Sequence, residues 1–435
     1  MATSDEGHPL GYDLEFEHDL QSTYVGSSLI PGTDPDFVIG FLDSGSDVDL
    51  AAGTNADILG LFFPNTVGNT VPVGGVGGDL ILAELTMPVG WFAQGLSAVS
   101  QSGQLDFSAM VGHSNVCGLV LPPIECGGTE QPIAVMGMPF LAFYNTLINV
   151  DTPRRVNVNG EVFSGPDVVI QDPLEELPLY SHFIAMEFGG LSVSATTATY
   201  YPDFFDLETP FFPTLLSLFP GTIPTGGLFF TDLVLFEGDP FDPLNEAVTA
   251  RMLVDTGAQS SIISSAVAAN LNLPLNPDFT VSVCGVGGLA EGVPGYYIDA
   301  AGISAFGGPL RYARAPFVVL DLPSPEGGIL DGILGMNLFW DRNIIFEPSL
   351  GGAAFLHVSD PVPFAYGDFN ADRDVDANDA DWFVACSTPP AFGSVDPECS
   401  HMDGDRDLDI DLADFAMFQR CFSGADVFAD ATCAP

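Results

Sequence analysis

Two short stretches decide how this chain reads: Phe41-Leu42-Asp43-Ser44-Gly45-Ser46 and Leu253-Val254-Asp255-Thr256-Gly257-Ala258. Each sets two apolar residues, the mark of a buried strand end, ahead of an Asp, a hydroxyl residue and a Gly. Each is followed by the same two landmarks. Val73-Gly74-Gly75-Val76-Gly77-Gly78 stands 32 residues beyond Phe41, and Val283-Cys284-Gly285-Val286-Gly287-Gly288 stands 30 beyond Leu253. Further on come Val135-Met136-Gly137-Met138-Pro139-Phe140-Leu141 and Ile333-Leu334-Gly335-Met336-Asn337-Leu338-Phe339. Three matches in one order define an internal duplication, and hence two similar lobes related by an approximate two-fold axis.

A lone Asp-Thr-Gly is common turn material, but the duplicated set resembles a two-lobed aspartic protease of the pepsin and retroviral-protease clan. The resemblance covers roughly residues 20–358. It implies that Asp43 and Asp255 are catalytic, with Ser44, Gly45, Ser46, Thr256, Gly257 and Ala258 supporting the active-site loops. The chemistry accounts for these residue types. An apolar strand delivers each carboxylate to the floor of a cleft, and the Gly permits a tight turn with a backbone N–H close by. Two carboxylates a few Å apart cannot both ionise easily, so they share a proton. One acts as base on a water and the other as acid toward the peptide carbonyl. The resemblance further implies that the Ser44 and Thr256 hydroxyls bond across to the opposite lobe, and that the segments around Gly137 and Gly335 run beneath the loops. The same residues also admit a competing reading, a non-catalytic relative that keeps the fold and binds peptides or proteins.

Two departures from the pepsin pattern stand out. No Tyr lies between Val71 and Val99 to serve on a flap, so Trp91 and Phe92 are the candidates there. The Val-Gly-Gly-Val-Gly-Gly segments are closer to the retroviral and bacterial single-lobe branch. Ser46 is placed to donate its hydroxyl to the outer oxygen of Asp43, whereas Ala258 offers none to Asp255. That difference predicts a proton held near Asp255 and a mildly acidic optimum, around pH 4–6.

Composition narrows the field. The 435 residues carry 58 Asp and Glu against nine basic residues, every one of them Arg, for a net charge of −49. Without Lys there is no Walker-type phosphate loop, pyridoxal Schiff base or protein-kinase site. The negative charge repels phosphate backbones, so nucleic acid is not an expected partner. No His-Glu-x-x-His or Gly-x-Ser-x-Gly occurs, which removes the common zinc and serine hydrolases. With 47% hydrophobic residues and 35 Phe the chain has ample material for large cores.

The composition changes after Val358, and 14 acidic residues fall within the 47 from Asp368 to Asp414. Two loops of one design are visible: Asp368, Asn370, Asp372, Asp374, Asp376 and Asp379, then Asp403, Asp405, Asp407, Asp409, Asp411 and Asp414. Both place oxygens at positions 1, 3, 5, 7, 9 and 12 of a twelve-residue loop, the EF-hand calcium spacing, with position 7 contributing its carbonyl. The usual Gly at position 6 is replaced by Arg373 and Leu408. Apolar Val375 and Ile410 at position 8 suit pairing of the two loops. Helices are expected at Ala380–Cys386 and Leu412–Cys421. The loop-then-helix duplication resembles a type I dockerin module. It implies two Ca2+ and a cohesin-like or cell-surface partner.

The expected architecture is therefore mainly β: two similar β-barrel-like lobes of an aspartic protease, plus a small α-helical dockerin-like module with EF-hand loop–helix repeats. The divisions are 1–156 for the first lobe, 157–244 for inter-lobe strands and loops, 245–360 for the second lobe, 366–423 for the dockerin-like module and 424–435 for a tail. A helix is expected over Ser261–Leu271. Cys117, Cys126, Cys386, Cys399, Cys421 and Cys433 read as disulfide cysteines of an oxidising compartment, and Cys284 as a buried free thiol. Pairing within each dockerin-like repeat is expected, with other pairings open. No signal peptide and no transmembrane segment are legible. The expectation is an extracellular or cell-surface monomer, its leader already removed, that acts on protein or peptide substrates.

Overall fold

In the computed structural model the apolar runs become strands, and the chain is mainly β. The described residues are 14–18, 21–25, 38, 40–62, 66–76, 80–86, 89–93, 111–116, 118–131, 133–142, 144–158, 161–171, 173, 175–189, 228–238, 247–324, 327–348, 353–369, 373–387, 399, 402–405, 409–425 and 427–434. They fall into two compact units, Met1–Asp360 and Pro361–Pro435.

The first unit opens with β1 (Leu14–His18), β2 (Gln21–Val25), β3 (Phe41–Leu42), β4 (Leu50–Ala52), β5 (Thr66–Val73) and β6 (Ile81–Thr86). Next come β7 (Val89–Ala93), β8 (Val111–Val116), β9 (Leu119–Leu121), β10 (Ile124–Cys126), β11 (Thr129–Gln131) and β12 (Ala134–Met136). After that lobe run β13 (Asn145–Val158), β14 (Glu161–Gln171), β15 (His182–Gly189) and β16 (Leu228–Phe236). The second lobe supplies β17 (Val248–Val254), β18 (Ile262–Ile263), β19 (Phe279–Gly285), β20 (Gly288–Ile303), β21 (Leu310–Val319) and β22 (Gly332–Leu334). β23 (Ile344–Glu347) and β24 (Ala354–Val358) close the unit.

One sheet has the order β3-β12-β4-β9-β6-β5, and a larger one contains β17-β22-β18-β21-β20-β19. The two orders coincide when β3 is laid on β17, β12 on β22, β4 on β18, β9 on β21, β6 on β20 and β5 on β19. Strand directions agree too. β3–β12 and β17–β22 are parallel, β12–β4 and β22–β18 antiparallel, β4–β9 and β18–β21 parallel. The duplication read from three landmarks is thus a duplication of strand topology. After each lobe the chain adds a hairpin, and β13 meets β23 through Thr146↔Phe346 to Ile148↔Ile344, which joins both halves in one sheet. β14, β15 and β16 widen that sheet, so strands rise from a stretch with no recognisable motif.

Burial explains why these strands form. Leu42, Met136, Phe140, Phe229, Phe230, Leu253, Val254, Phe317 and Phe339 belong to one buried cluster. A smaller cluster in the first lobe holds Val48, Leu50, Leu85, Leu119, Leu121 and Ile124. At roughly 1.5–3 kcal/mol for each large side chain removed from water, the strand ends carrying the two Asp residues are firmly anchored.

Three sequence expectations need correction. The helix expected over Ser261–Leu271 spans only Ser265–Asn270. Ile262 and Ile263 are β-branched and enter the sheet as β18, and the Ser264 hydroxyl caps the helix by accepting the Val267 N–H at 3.2 Å. Cys284 is neither buried nor free. Its side chain points to the exposed face of β19 and forms a disulfide with Cys126 on β10, Cα to Cα 6.1 Å. Alternation along a strand gives it that face, since Val281 and Val283 take the inner one. Cys117, the expected neighbour of Cys126 among the disulfide candidates, lies outside the described residues. Finally, Trp91 and Phe92 fall within β7 and not at the β5–β6 hairpin, whose tip begins at Gly74.

In the second unit helices span Ala377–Cys386 and Leu412–Cys421, the first beginning three residues before the expected Ala380. Disulfides join Cys386 to Cys399 and Cys421 to Cys433. Phe369, Phe383, Phe415 and Phe418 stack among one another as its core.

Candidate active site

β3 and β17 end at Asp43 and Asp255, and the backbone holds each from beneath. Asp43 N–H donates to Met136 O at 3.0 Å, and Asp255 N–H donates to Leu334 O at 3.2 Å. The segments around Gly137 and Gly335 also support the loops from their far side: Met138 N–H reaches Ser46 O at 2.8 Å, and Met336 N–H reaches Ala258 O at 2.9 Å.

The two loops lock together through their hydroxyl residues. Ser44 Oγ donates to Val254 O at 2.8 Å and accepts the Thr256 N–H at 3.0 Å. In return Thr256 Oγ1 donates to Leu42 O at 2.6 Å and accepts the Ser44 N–H at 3.1 Å. Both side chains are buried, so these four bonds are shielded from water. The lock brings each Gly against the opposite carboxylate. A Cβ on Gly45 would collide with the Asp255 carboxyl, and one on Gly257 would lie 2.6 Å from Asp43 Cγ. Only Gly fits at either place.

Within this cradle Asp43 Oδ1 accepts the Gly45 N–H at 2.7 Å, and Asp255 Oδ1 accepts those of Gly257 and Ala258 at 2.9 and 3.0 Å. Burial pushes the Asp255 carboxyl well above the ordinary range, and the charge of Asp43 beside it adds to the shift. Burial also raises Asp43, but the bond from Asp255 and the N–H groups of Gly45 and Ser46 oppose it. Both carboxyls are thus raised, Asp255 the further, as expected for two buried acids that share one proton. The hydroxyl expected to favour ionisation of Asp43 is engaged elsewhere. The Ser46 hydroxyl donates to Val48 O at 2.7 Å and not to Asp43.

Sequence reasoning passed over Asp47. Burial, with the charge of Asp43 as a lesser cause, pushes its carboxyl up to about 6. It also passed over the meeting of the two glycine-rich tips. A Cβ on Gly75 would lie 3.2 Å from Val286 Cβ, and one on Gly285 would lie 2.8 Å from Val76 Cβ. The matched Val-Gly-Gly-Val and Val-Cys-Gly-Val runs were the available signal, since equivalent points of a two-fold pair can meet on the axis. Asp47 sits two residues past the motif with no signal of its own.

In the second unit, one oxygen each of Asp374, Asp376 and Asp379 lie within 4.8 Å of one another, and all three residues are buried. Asp403, Asp405 and Asp414 form a like group, as do Asp409, Asp411 and Asp414. Asn370, Asp372 and Asp407 lie outside the described residues, and Asp368 accepts the Arg373 N–H at 3.1 Å. Asp376 and Asp411 also cap the two helices, each in a reciprocal box with Asp379 or Asp414. Arg373, where a Gly is usual, holds φ at 72°, the left-handed bend a calcium loop requires, and its guanidinium lies 3.6 Å over the Phe364 ring. Position 8 departs from expectation: Val375 exchanges its backbone bonds with Ser423 and Gly424, not with Ile410. Val375 and Ile410 sit in separate clusters instead. An all-oxygen, carboxylate-rich donor set of this kind fits a hard cation such as Ca2+.

Residues 243–338 match the family model described as aspartyl protease, a span that contains the whole of β17 through β22. No curated protein matches the chain. No helix among the described residues is long and apolar enough to cross a membrane. The match over the second lobe supports an aspartic protease of the retropepsin-like kind.

Proposed function

We propose that the first unit is an aspartic endopeptidase that hydrolyses peptide bonds with a water activated between Asp43 and Asp255. Ionised Asp43 takes a proton from the water as its oxygen attacks the scissile carbonyl carbon, and Asp255 gives its proton to the carbonyl oxygen. Collapse of the resulting diol breaks the C–N bond and returns a proton to the leaving amine. The substrate lies extended between the lobes, its backbone paired with the edges of the β5–β6 and β19–β20 hairpins as flaps. The observation that carries this reading is the reciprocal Ser44–Thr256 lock, which sets each Gly against the opposite carboxylate. Digestion of denatured casein across pH, with the cuts mapped by mass spectrometry, tests it. Cleavage should be blocked by a transition-state analogue and absent in Asp255→Asn. Persistent cleavage by that variant would refute the dyad.

The second unit, in the same reading, is a dockerin-like module that binds two Ca2+ and docks a protein partner. Its support is the twice-repeated oxygen spacing and the buried carboxylate groups. Bound Ca2+ would neutralise carboxylates that otherwise repel one another. Chelation should raise hydrogen exchange in residues 361–434 and leave the first unit unchanged, whereas calorimetry without calcium uptake would sink the assignment. Three disulfides fit a secreted or cell-surface location.

A further inference from the structure

The two glycine-rich tips are equivalent in sequence except at one place, where Gly74 stands in one and Cys284 in the other. Each of these residues meets the opposite lobe. A Cβ on Gly74 would lie 3.1 Å from Pro323 Cγ, in the segment between β21 and β22. Cys284 meets Cys126 on β10, in the equivalent segment between β9 and β12, and there the contact is covalent. The tip beyond Cys284 is seated as well. Val286 packs on the first-lobe cluster of Val48, Leu50, Leu119 and Ile124. A Cβ on Gly287 would collide with the Val76 carbonyl, so the tips fit closely.

We propose that the Cys126–Cys284 disulfide makes the β19–β20 hairpin a fixed wall of the substrate cleft. A hairpin bonded at its tip to the opposite lobe cannot swing away from it. The disulfide is then a specificity-determining element. It pre-forms one side of the cleft, which favours slim, extended peptide segments and excludes bulky folded ones. This rests on the endopeptidase reading, so its test includes a readout that needs no catalysis.

A non-reducing peptide map of the full chain should yield a Cys126–Cys284 cross-link, and a Cys117–Cys126 cross-link would overturn the proposal. In hydrogen exchange, amides of 279–285 and 288–293 should exchange at least about tenfold slower than those of 66–73 and 81–86. In the Cys126→Ser/Cys284→Ser variant that difference should vanish. Equal exchange of the two hairpins in the unaltered protein would overturn the clamp. Should the variant fail to fold, the unaltered protein treated with a water-soluble phosphine gives the same comparison, because Cys284 is exposed. For a ten-residue peptide substrate the variant should raise KM about tenfold with little change in kcat, as expected when a pre-formed wall is lost. An unchanged KM would overturn the specificity role. Slow exchange at 279–293 in a protein that cleaves nothing would instead leave the clamp standing and refute the endopeptidase.

Discussion

The two lobes share a strand order but solve the same local problems with different side chains. Six residues beyond each Asp, a buried acceptor takes the N–H of the glycine beneath the loop. In the first lobe it is Asp49 Oδ1, bonded to Gly137 N–H at 2.8 Å; in the second it is Ser261 Oγ, bonded to Gly335 N–H at 3.0 Å. Ser44 and Thr256 likewise do one job with two residue types. What the scaffold conserves between its halves is therefore a bond at a place, not an identity. The differences that matter fall where no equivalent bond is needed: Asp47 against Gln259, and Gly74 against Cys284. One sets a charge beside the dyad in the first lobe only, and the other ties down one hairpin only.

The strongest way to test that equivalence is to break each half in turn. Asp43→Asn and Asp255→Asn should each lower peptide hydrolysis by about 10²–10⁴-fold, with near-UV circular dichroism unchanged. Appreciable activity in either would mean the halves are not partners in one reaction. Next come the locking hydroxyls. Ser44→Ala removes the bonds to Val254 O and Thr256 N–H, and Thr256→Ala those to Leu42 O and Ser44 N–H. Each should cost about 2–4 kcal/mol in denaturant unfolding, because buried backbone groups lose their partners. The double variant should cost clearly less than the sum, since the four bonds form one network. Costs differing by more than about 1 kcal/mol would show that one lobe carries the lock.

Asp47 sharpens the comparison through charge. Its folded carboxyl is raised from 3.8 to about 6, so the folded state holds the proton more tightly than the unfolded chain does. The sign follows: its burial costs nothing below about pH 4, and stability falls as pH rises toward 6. Asp47→Asn should then raise stability at pH 7 by about 1–3 kcal/mol and leave it unchanged at pH 3. Equal gains at both pH values would show that the charge is not the cause. The smallest effect is expected at Ala258. Because Ser46 gives its hydroxyl to Val48 O, restoring a hydroxyl at the matching place restores no missing bond. Ala258→Ser should move the acid limb of the pH–rate profile by less than about half a unit. A larger shift to lower pH would revive the hydroxyl as the cause of the asymmetry.

Much of the fold was legible because it rests on local rules. The apolar pair before each Asp must be buried, Gly must follow where the opposite carboxylate approaches, and the same landmarks recur in the same order. Those rules predicted two lobes, the facing of Asp43 and Asp255, and the paired acidic loops with a helix after each. The helix boundary at Ser264 was less legible, because Ser261–Leu271 carries an apolar spacing that suits a helix while its two Ile are drawn into the sheet by pairing with Val318 and Val319.

By itself the sequence determined the residue types at the cleft floor and their duplication, since each is fixed by the chemistry of its own few neighbours along the chain. Only the tertiary structure decided that Cys284 is bonded and exposed, that Cys126 lies 158 residues away as its partner, and that Ser46 turns from the carboxylate to Val48. It also decided that both dyad carboxyls are raised, Asp255 the further, through burial and one charge beside another. The physical reason is common to all four. Each outcome is a choice among acceptors, partners or dielectric surroundings supplied by distant chain, and hydrogen bonds, disulfides and desolvation act only between groups that folding has already brought together.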